Sequence, residues 1–205
     1  MASKRALEGR LAELSAFAEP DVDLEQYATP APLAATLIHL ADLEGDLERP
    51  VVDLGAGTGV LALGAAMRGA RRVVGIERDR AALETARANE TVAEPATSVD
   101  WVLADATRPP IKRGDLTVLM NPPFGAQHGH QHADRAFLEV VAELASVSYS
   151  IHNDGSWEFV EAFSVDNGGL VTHAYQSTID LDRQFPFHTE ESREHPVEVF
   201  RIEWG

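Results

Sequence analysis

Between Pro50 and Glu90 the chain repeats one pattern twice: a short apolar run, a turn, then a stretch with helical spacing. "PVVDLG" leads into "VLALGAAMRG", and "RRVVGIE" leads into "DRAALETARANE", with Asp79 placed to cap the second helix. Successive strand–helix units commit a chain to a parallel sheet, because parallel neighbours need a long crossover that a helix supplies. The pattern continues through the strand-like "SVDWVLAD" and "DLTVLM", the helical "ADRAFLEVVAELA" with Asp134 as its capping residue, and "SVSYSIH". "GGLVTHAYQSTI" and "PVEVFRIEW" follow, rich in β-branched and aromatic residues, with no convincing helix between them. They are expected to end the sheet as an antiparallel pair. The predicted fold class is α/β: a Rossmann-like, doubly wound, seven-stranded and mostly parallel sheet with a C-terminal antiparallel hairpin.

Upstream, residues 4–18 have helical spacing, "LEQYATPAP" breaks it at Pro30 and Pro32, and "LAATLIHLADL" resumes it. With 205 residues and 44% hydrophobic content, one core is expected. A single domain 1–205 follows, with 1–45 as a helical segment and ligand-covering loop and 50–205 as the core. No apolar stretch reaches bilayer length and the N-terminus lacks a signal-peptide core, so a soluble cytoplasmic protein is expected. The absence of cysteine excludes a disulfide framework, a thiol nucleophile and a cysteine zinc site.

Acidic residues number 33 against 17 basic ones, a net charge of −16, and Lys4 and Lys112 are the only lysines. In dilute salt that balance argues against nucleic acid, since phosphate affinity comes largely from a basic face. The charge is spread along the chain, which suits a solvated surface adapted to high cytoplasmic salt. There the Debye length falls to roughly 3 Å at 1 M. Halophilic adaptation leaves an RNA partner open.

In "VVDLGAGTGVLAL", Gly55, Gly57 and Gly59 lie between a strand and a helix, where glycine lets the backbone approach a ligand closely. The dinucleotide fingerprint needs glycine at position 60, which is Val60. Asp53, inside the strand end, is better placed to hold an amine or order the loop than to face a pyrophosphate. These features favour S-adenosylmethionine over NAD, although glycine spacing alone leaves a nicotinamide site open. Glu77 ends the second strand 22 residues after Gly55, where a carboxylate can accept both ribose hydroxyls. Asp105, ending the third strand in "LADAT", can accept from an adenine amine or simply form a turn. The crevice at these strand ends is where such sheets bind ligands.

"NPPF", Asn121 to Phe124, follows the fourth strand. Pro122 and Pro123 remove two backbone donors and fix two φ angles, so the turn is stiff. "DLGAGTG", Glu77, "LADA" and "NPPF", in this order, resemble the class I S-adenosylmethionine-dependent methyltransferases that modify exocyclic amines. "LEQYATP", "NPPFG", "ADRAF" and "FPFH" resemble, more narrowly, the small methyltransferase-like family that N6-methylates one adenosine of small-subunit ribosomal RNA. The resemblance runs from about Leu24 to Trp204. It implies cofactor contacts from Gln26, Thr29, Gly55, Thr58, Val60, Glu77, Asp105 and Ala106. It also implies that Phe187 and His188 flank the target base, and that a small zinc-binding activator subunit adds to the sheet edge. Thr189, Glu190 and Glu191 stand where that family has basic residues.

The adenine N6 lone pair is delocalised into the ring and is a poor nucleophile. Accepting both N6 hydrogens, at the Asn121 side-chain oxygen and the Pro122 carbonyl, would shift density onto nitrogen. Phe124 could stack on the base, a contact worth roughly 1–3 kcal/mol. The base must be single-stranded or flipped to enter. Neither a metal nor a covalent intermediate is needed, and His128, His130 and His132 in "GAQHGHQH" are read as part of a substrate-covering loop. Two other readings stay open: a protein glutamine-N5 methyltransferase, whose substrate amide fits the same turn, and a non-catalytic S-adenosylmethionine-binding subunit.

Overall fold

The computed structural model describes residues 3–18, 20, 21, 26–123, 133–181 and 193–205. Seven strands form one sheet: β1 (Val51–Leu54), β2 (Val73–Glu77), β3 (Val99–Leu103), β4 (Thr117–Met120), β5 (Val147–Asn153), β6 (Gly169–Leu181) and β7 (Arg193–Trp204). Their order is β3-β2-β1-β4-β5-β7-β6. The first five strands are parallel, and β7 runs antiparallel between β5 and β6. This is the doubly wound sheet with an antiparallel C-terminal hairpin that the alternation predicted. The chain order reverses direction between β1 and β4, and the crevice of such a sheet opens there.

The helices are α1 (Lys4–Leu11), α2 (Ala31–Leu43), α3 (Val60–Met67), α4 (Arg80–Ala93), α5 (Ala133–Leu144) and α6 (Trp157–Asp166). Side chains of α1, α2 and α3 pack with Val51, Leu119 and Tyr149 on one face of the sheet. Those of α5 and α6 pack with Val52, Met120 and Phe200 on the other. β1 and β4 are buried along their whole length, as strands covered on both faces must be. Among the described residues, no helix is long and apolar enough to cross a membrane.

Four local features differ from the sequence expectation. The first helix stops at Leu11 instead of running to residue 18. There the chain is taken over by Asn89, whose Oδ1 accepts from Ser15 N at 2.8 Å and whose Nδ2 donates to Ser15 O at 2.9 Å. The helix α6 was not predicted; it is a short segment with Phe, Trp and Val, residues that also suit strands. Asp79 caps α4 as expected, accepting from Ala81 N, whereas Asp134 falls inside the first turn of α5 and accepts from Arg135 N. Asp105 lies two residues beyond β3 rather than at its last position.

The end of the sheet opposite the crevice is tied by a buried polar cluster around Asp46, which is 1% exposed. Its Oδ2 accepts from Tyr149 Oη at 2.7 Å and Arg201 Nε at 2.8 Å, and its backbone carbonyl accepts from Thr117 Oγ1 at 2.6 Å. Burial and the Asp46 hydrogen bond push the Tyr149 phenol well above its usual range, so it stays a donor. The cluster joins β4, β5 and β7, leaving the other sheet end free for a site.

Candidate active site

β1 ends in a loop whose glycines all take positive φ: 74° at Gly55, 54° at Gly57 and 89° at Gly59. Gly59 is the residue that starts α3, and its hydrogen faces a ring: a Cβ there would meet Trp101 at 2.6 Å. It therefore serves helix–strand packing and does not line the cavity above the loop. At Gly57 a Cβ would meet Phe17 at 2.8 Å, and at Gly55 it would meet Phe137 at 3.3 Å. The loop is thus clasped between an aromatic ring from the N-terminal segment and one from α5.

The cavity enclosed there has a volume of about 300 Å³ and lies at the β1/β4 reversal. It gathers Gln26, Thr29, Asp53, Gly55, Gly57, Thr58 and Val60 from the first half of the predicted set. Glu77, Asp105, Ala106, Asn121 and Pro123 complete it, while Pro122 is buried outside the wall. Phe124, the 128/130/132 histidines, Phe187 and His188 lie outside the described residues. The residue pattern alone did not mark Phe17 and Phe137 as walls, because Phe17 comes from a segment held by Asn89 and Phe137 from the first turns of α5. The "ADRAF" stretch containing Phe137 was a signal of kind, not of role.

Each acidic side chain has a distinct environment. Asp53 is 1% exposed, and its Oδ2 accepts from Ala62 N at 2.8 Å in the first turn of α3. Burial pushes its carboxyl up to about 7, against the Ala62 hydrogen bond and with the help of the Glu77 charge. Glu77 Oε2 accepts from Gly57 N at 2.9 Å, and its Oε1 accepts from the backbone amides of Arg78 and Asp79. It holds the glycine loop to the end of β2 and lines the cavity. Asp105 Oδ1 accepts from the Thr107 amide and hydroxyl, which hold its carboxyl below the usual range and leave it ionised.

The roof is fastened by amides. Gln26 Oε1 accepts from Asp21 N at 2.8 Å, and its Nε2 donates to Asp79 Oδ2 at 2.7 Å. It binds the segment before α2 to the cap of α4 and lines the cavity between them. Asn121 Nδ2 donates to Thr29 Oγ1 at 3.0 Å, and Asn121 Oδ1 is buried with no partner. Thr58 Oγ1 is likewise buried without one. Two unmet polar atoms on one cavity wall are unusual in a folded interior and fit a site completed by a ligand.

Donors, carboxylates and apolar walls of this kind could hold S-adenosylmethionine, with its amino group at Asp53, its ribose hydroxyls at Glu77 and its adenine amine at Asp105, all three of which line the cavity. Residues 32–165 match the methyltransferase small domain family. The chain belongs to that family. This S-adenosylmethionine-dependent methyltransferase is 34% identical over 210 residues to the rRNA N(6)-adenosine-methyltransferase of Drosophila melanogaster, covering 98% of this chain and 96% of that one. It is 36% identical over 216 residues to an uncharacterized protein of Methanocaldococcus jannaschii, covering 99% and 95%. Its fold matches the crystal structure of a putative RNA methyltransferase from Pyrococcus horikoshii with a TM-score of 0.89 at 37% identity, covering 100% and 98%.

Proposed function

We propose that this methyltransferase modifies the N6 amine of an adenosine in RNA, in the small ribosomal subunit. The observation that carries the reading is the Asn121 amide: Thr29 orients it, and its oxygen is left as a buried, unmet acceptor on the cavity wall. When bound, S-adenosylmethionine supplies an electrophilic methyl group. Asn121 Oδ1 accepts one N6–H, and the Pro122 carbonyl, held by the fixed φ of its ring, accepts the other. Asn121 Oδ1 stands on the cavity wall before the substrate arrives, whereas Pro122 is buried behind that wall, so the second acceptor requires the target amine to reach past Asn121 to the turn. The proton leaves after the nitrogen becomes cationic, when it is far more acidic, so a strong base is not required. Phe124, Phe187 and His188 belong to the same proposal as residues that enclose the base.

The names of relatives support the substrate: those of Drosophila melanogaster and Danio rerio, the latter 32% identical with 97% of both chains covered, are rRNA N(6)-adenosine-methyltransferases. A small zinc-binding activator subunit is part of the reading. The sheet offers it β3, an edge strand on which Leu103 is 46% exposed. A salt-rich cytoplasm suits the net charge of −16.

The test is transfer of labelled methyl groups to unmodified small ribosomal subunits, with and without the candidate subunit, followed by nucleoside analysis. Label in N6-methyladenosine is expected. Label in protein glutamine, or none in RNA, would overturn the substrate.

A further inference from the structure

On the far side of Asn121 from the glycine loop, the sheet carries a second cavity of about 330 Å³, lined by Trp157, Ala174, Tyr175, Gln176 and Glu198. It opens at the same end of the sheet as the active site. Glu198 pairs across β5/β7 with His152, near the end of β5, and β5 lies beside β4. Two strand spacings, about 10 Å, separate the end of β4 from this part of β7.

The floor of the cavity contains a carboxylate that the fold does not use. Glu198 is 8% exposed and its Oε2 has no partner; opposite it, His152 is 1% exposed and its Nε2 has none either. Two unmet buried polar atoms on one rung cost stability; of the two residues only Glu198 lines the cavity, so a ligand there would offset the part of the cost that Glu198 carries. Beside them stands a large ring. Trp157 is 40% exposed and is backed by Phe200, with centroids 5.8 Å apart. An aromatic wall with an acceptor-only carboxylate takes a flat, aromatic ligand bearing an N–H donor.

The charge of the chain narrows the ligand further. With 33 acidic residues and 17 basic ones, phosphate contacts cannot dominate RNA affinity, so base contacts must contribute a larger share. We propose that this cavity holds a base neighbouring the target adenosine, stacked on Trp157 and donating an exocyclic amino N–H to Glu198. This rests on the RNA reading above. Adenine, cytosine and guanine offer such an amine; uracil has none, and its one base-edge donor, N3–H, sits between two carbonyl oxygens that the carboxylate repels, so it is disfavoured.

Two measurements test it. In the first, single-stranded oligonucleotides with one target adenosine carry cytidine or uridine at each neighbouring position. Wild type is expected to show a KM about tenfold lower for cytidine at one of those positions. Glu198→Leu removes a buried carboxylate that has no partner, so it should melt at or above the wild-type temperature. It should also keep kcat and cofactor affinity, and lose the cytidine preference. Unchanged KM and preference in Glu198→Leu would overturn the proposal, as would a lowered melting temperature, which would mark a structural role. The second needs no methyl transfer: tryptophan emission is titrated with CMP and with UMP, using Trp157→Phe to isolate the signal. A response to CMP that exceeds that to UMP and is lost in Glu198→Leu supports the cavity even where wild type methylates no RNA, a result that sinks only the RNA reading. Equal responses to the two nucleotides overturn the cavity proposal.

Discussion

Asn121 and Thr29 are 92 positions apart in sequence, and the side-chain amide of the first donates to the hydroxyl of the second at 3.0 Å. That bond decides which end of the amide meets the substrate. With Nδ2 occupied, the carbonyl end is the one left toward the cavity wall. Thr29→Val frees the amide to rotate. The expected result is a fall in kcat of up to about 100-fold, with restoration by Thr29→Ser. Steady-state kinetics on both variants checks it; equal rates for Val and Ser would show that the hydroxyl does not orient Asn121.

Gln26 acts as a latch between the segment before α2 and the start of α4, through Asp21 N and Asp79 Oδ2. Gln26→Ala removes two hydrogen bonds, one of them to a charged group. Cofactor affinity is expected to weaken by about tenfold, with little change in the rate from the loaded enzyme. In calorimetry, Gln26→Ala and Asp79→Ala together should cost less than the sum of the single changes, because they share one contact.

Burial pushes the Asp53 carboxyl up to about 7, against the Ala62 hydrogen bond and with the Glu77 charge adding to it. A folded-state pKa above the usual value means that the proton stabilises the empty protein. This contribution is full below about pH 4 and is lost as pH rises through about 7. A bound amino group reverses the preference by favouring the carboxylate. Cofactor binding near pH 6 is therefore expected to release a proton, seen as a binding enthalpy that depends on the buffer's ionisation enthalpy. Asp53→Asn should abolish that dependence; its persistence would assign the proton elsewhere.

Arg201 Nε and Tyr149 Oη both donate to Asp46 Oδ2 at the sheet end remote from the site. Arg201→Met leaves Asp46 with fewer donors in a buried setting. Arg49 Nη1 still donates to Asp46 Oδ1 at 2.8 Å, so the carboxylate stays paired and urea denaturation is expected to show a loss of about 1.5–3 kcal/mol, with part recovered when Asp46→Asn is added. The folded variant should retain its cofactor affinity, because this cluster does not reach the cavity.

Much of this site was legible in the residues because its parts recur at strand ends. Gly55, Glu77 and Asn121 each follow or close an apolar run, and the parallel sheet brings those ends together. What linear reading could not supply were long-range partners. Phe17 lies over Gly57 only because Asn89 captures Ser15, and Gln26 matters through an aspartate 53 positions away. The helix α6 was hidden for a local reason: its aromatic and β-branched residues carry no helix signal stronger than their strand preference. Val60, where the dinucleotide fingerprint has its third glycine, is the first residue of α3, with Gly59 as its N-cap.

The role of Asn121 is tested most directly by measuring cofactor affinity and single-turnover methyl transfer on one preparation of Asn121→Ala. Cofactor affinity should match wild type, because the missing oxygen serves the substrate amine. Transfer should fall by about 100- to 1000-fold, the cost of losing one preorganised acceptor. Retained transfer with weakened cofactor binding would contradict the account and make Asn121 a cofactor ligand alone.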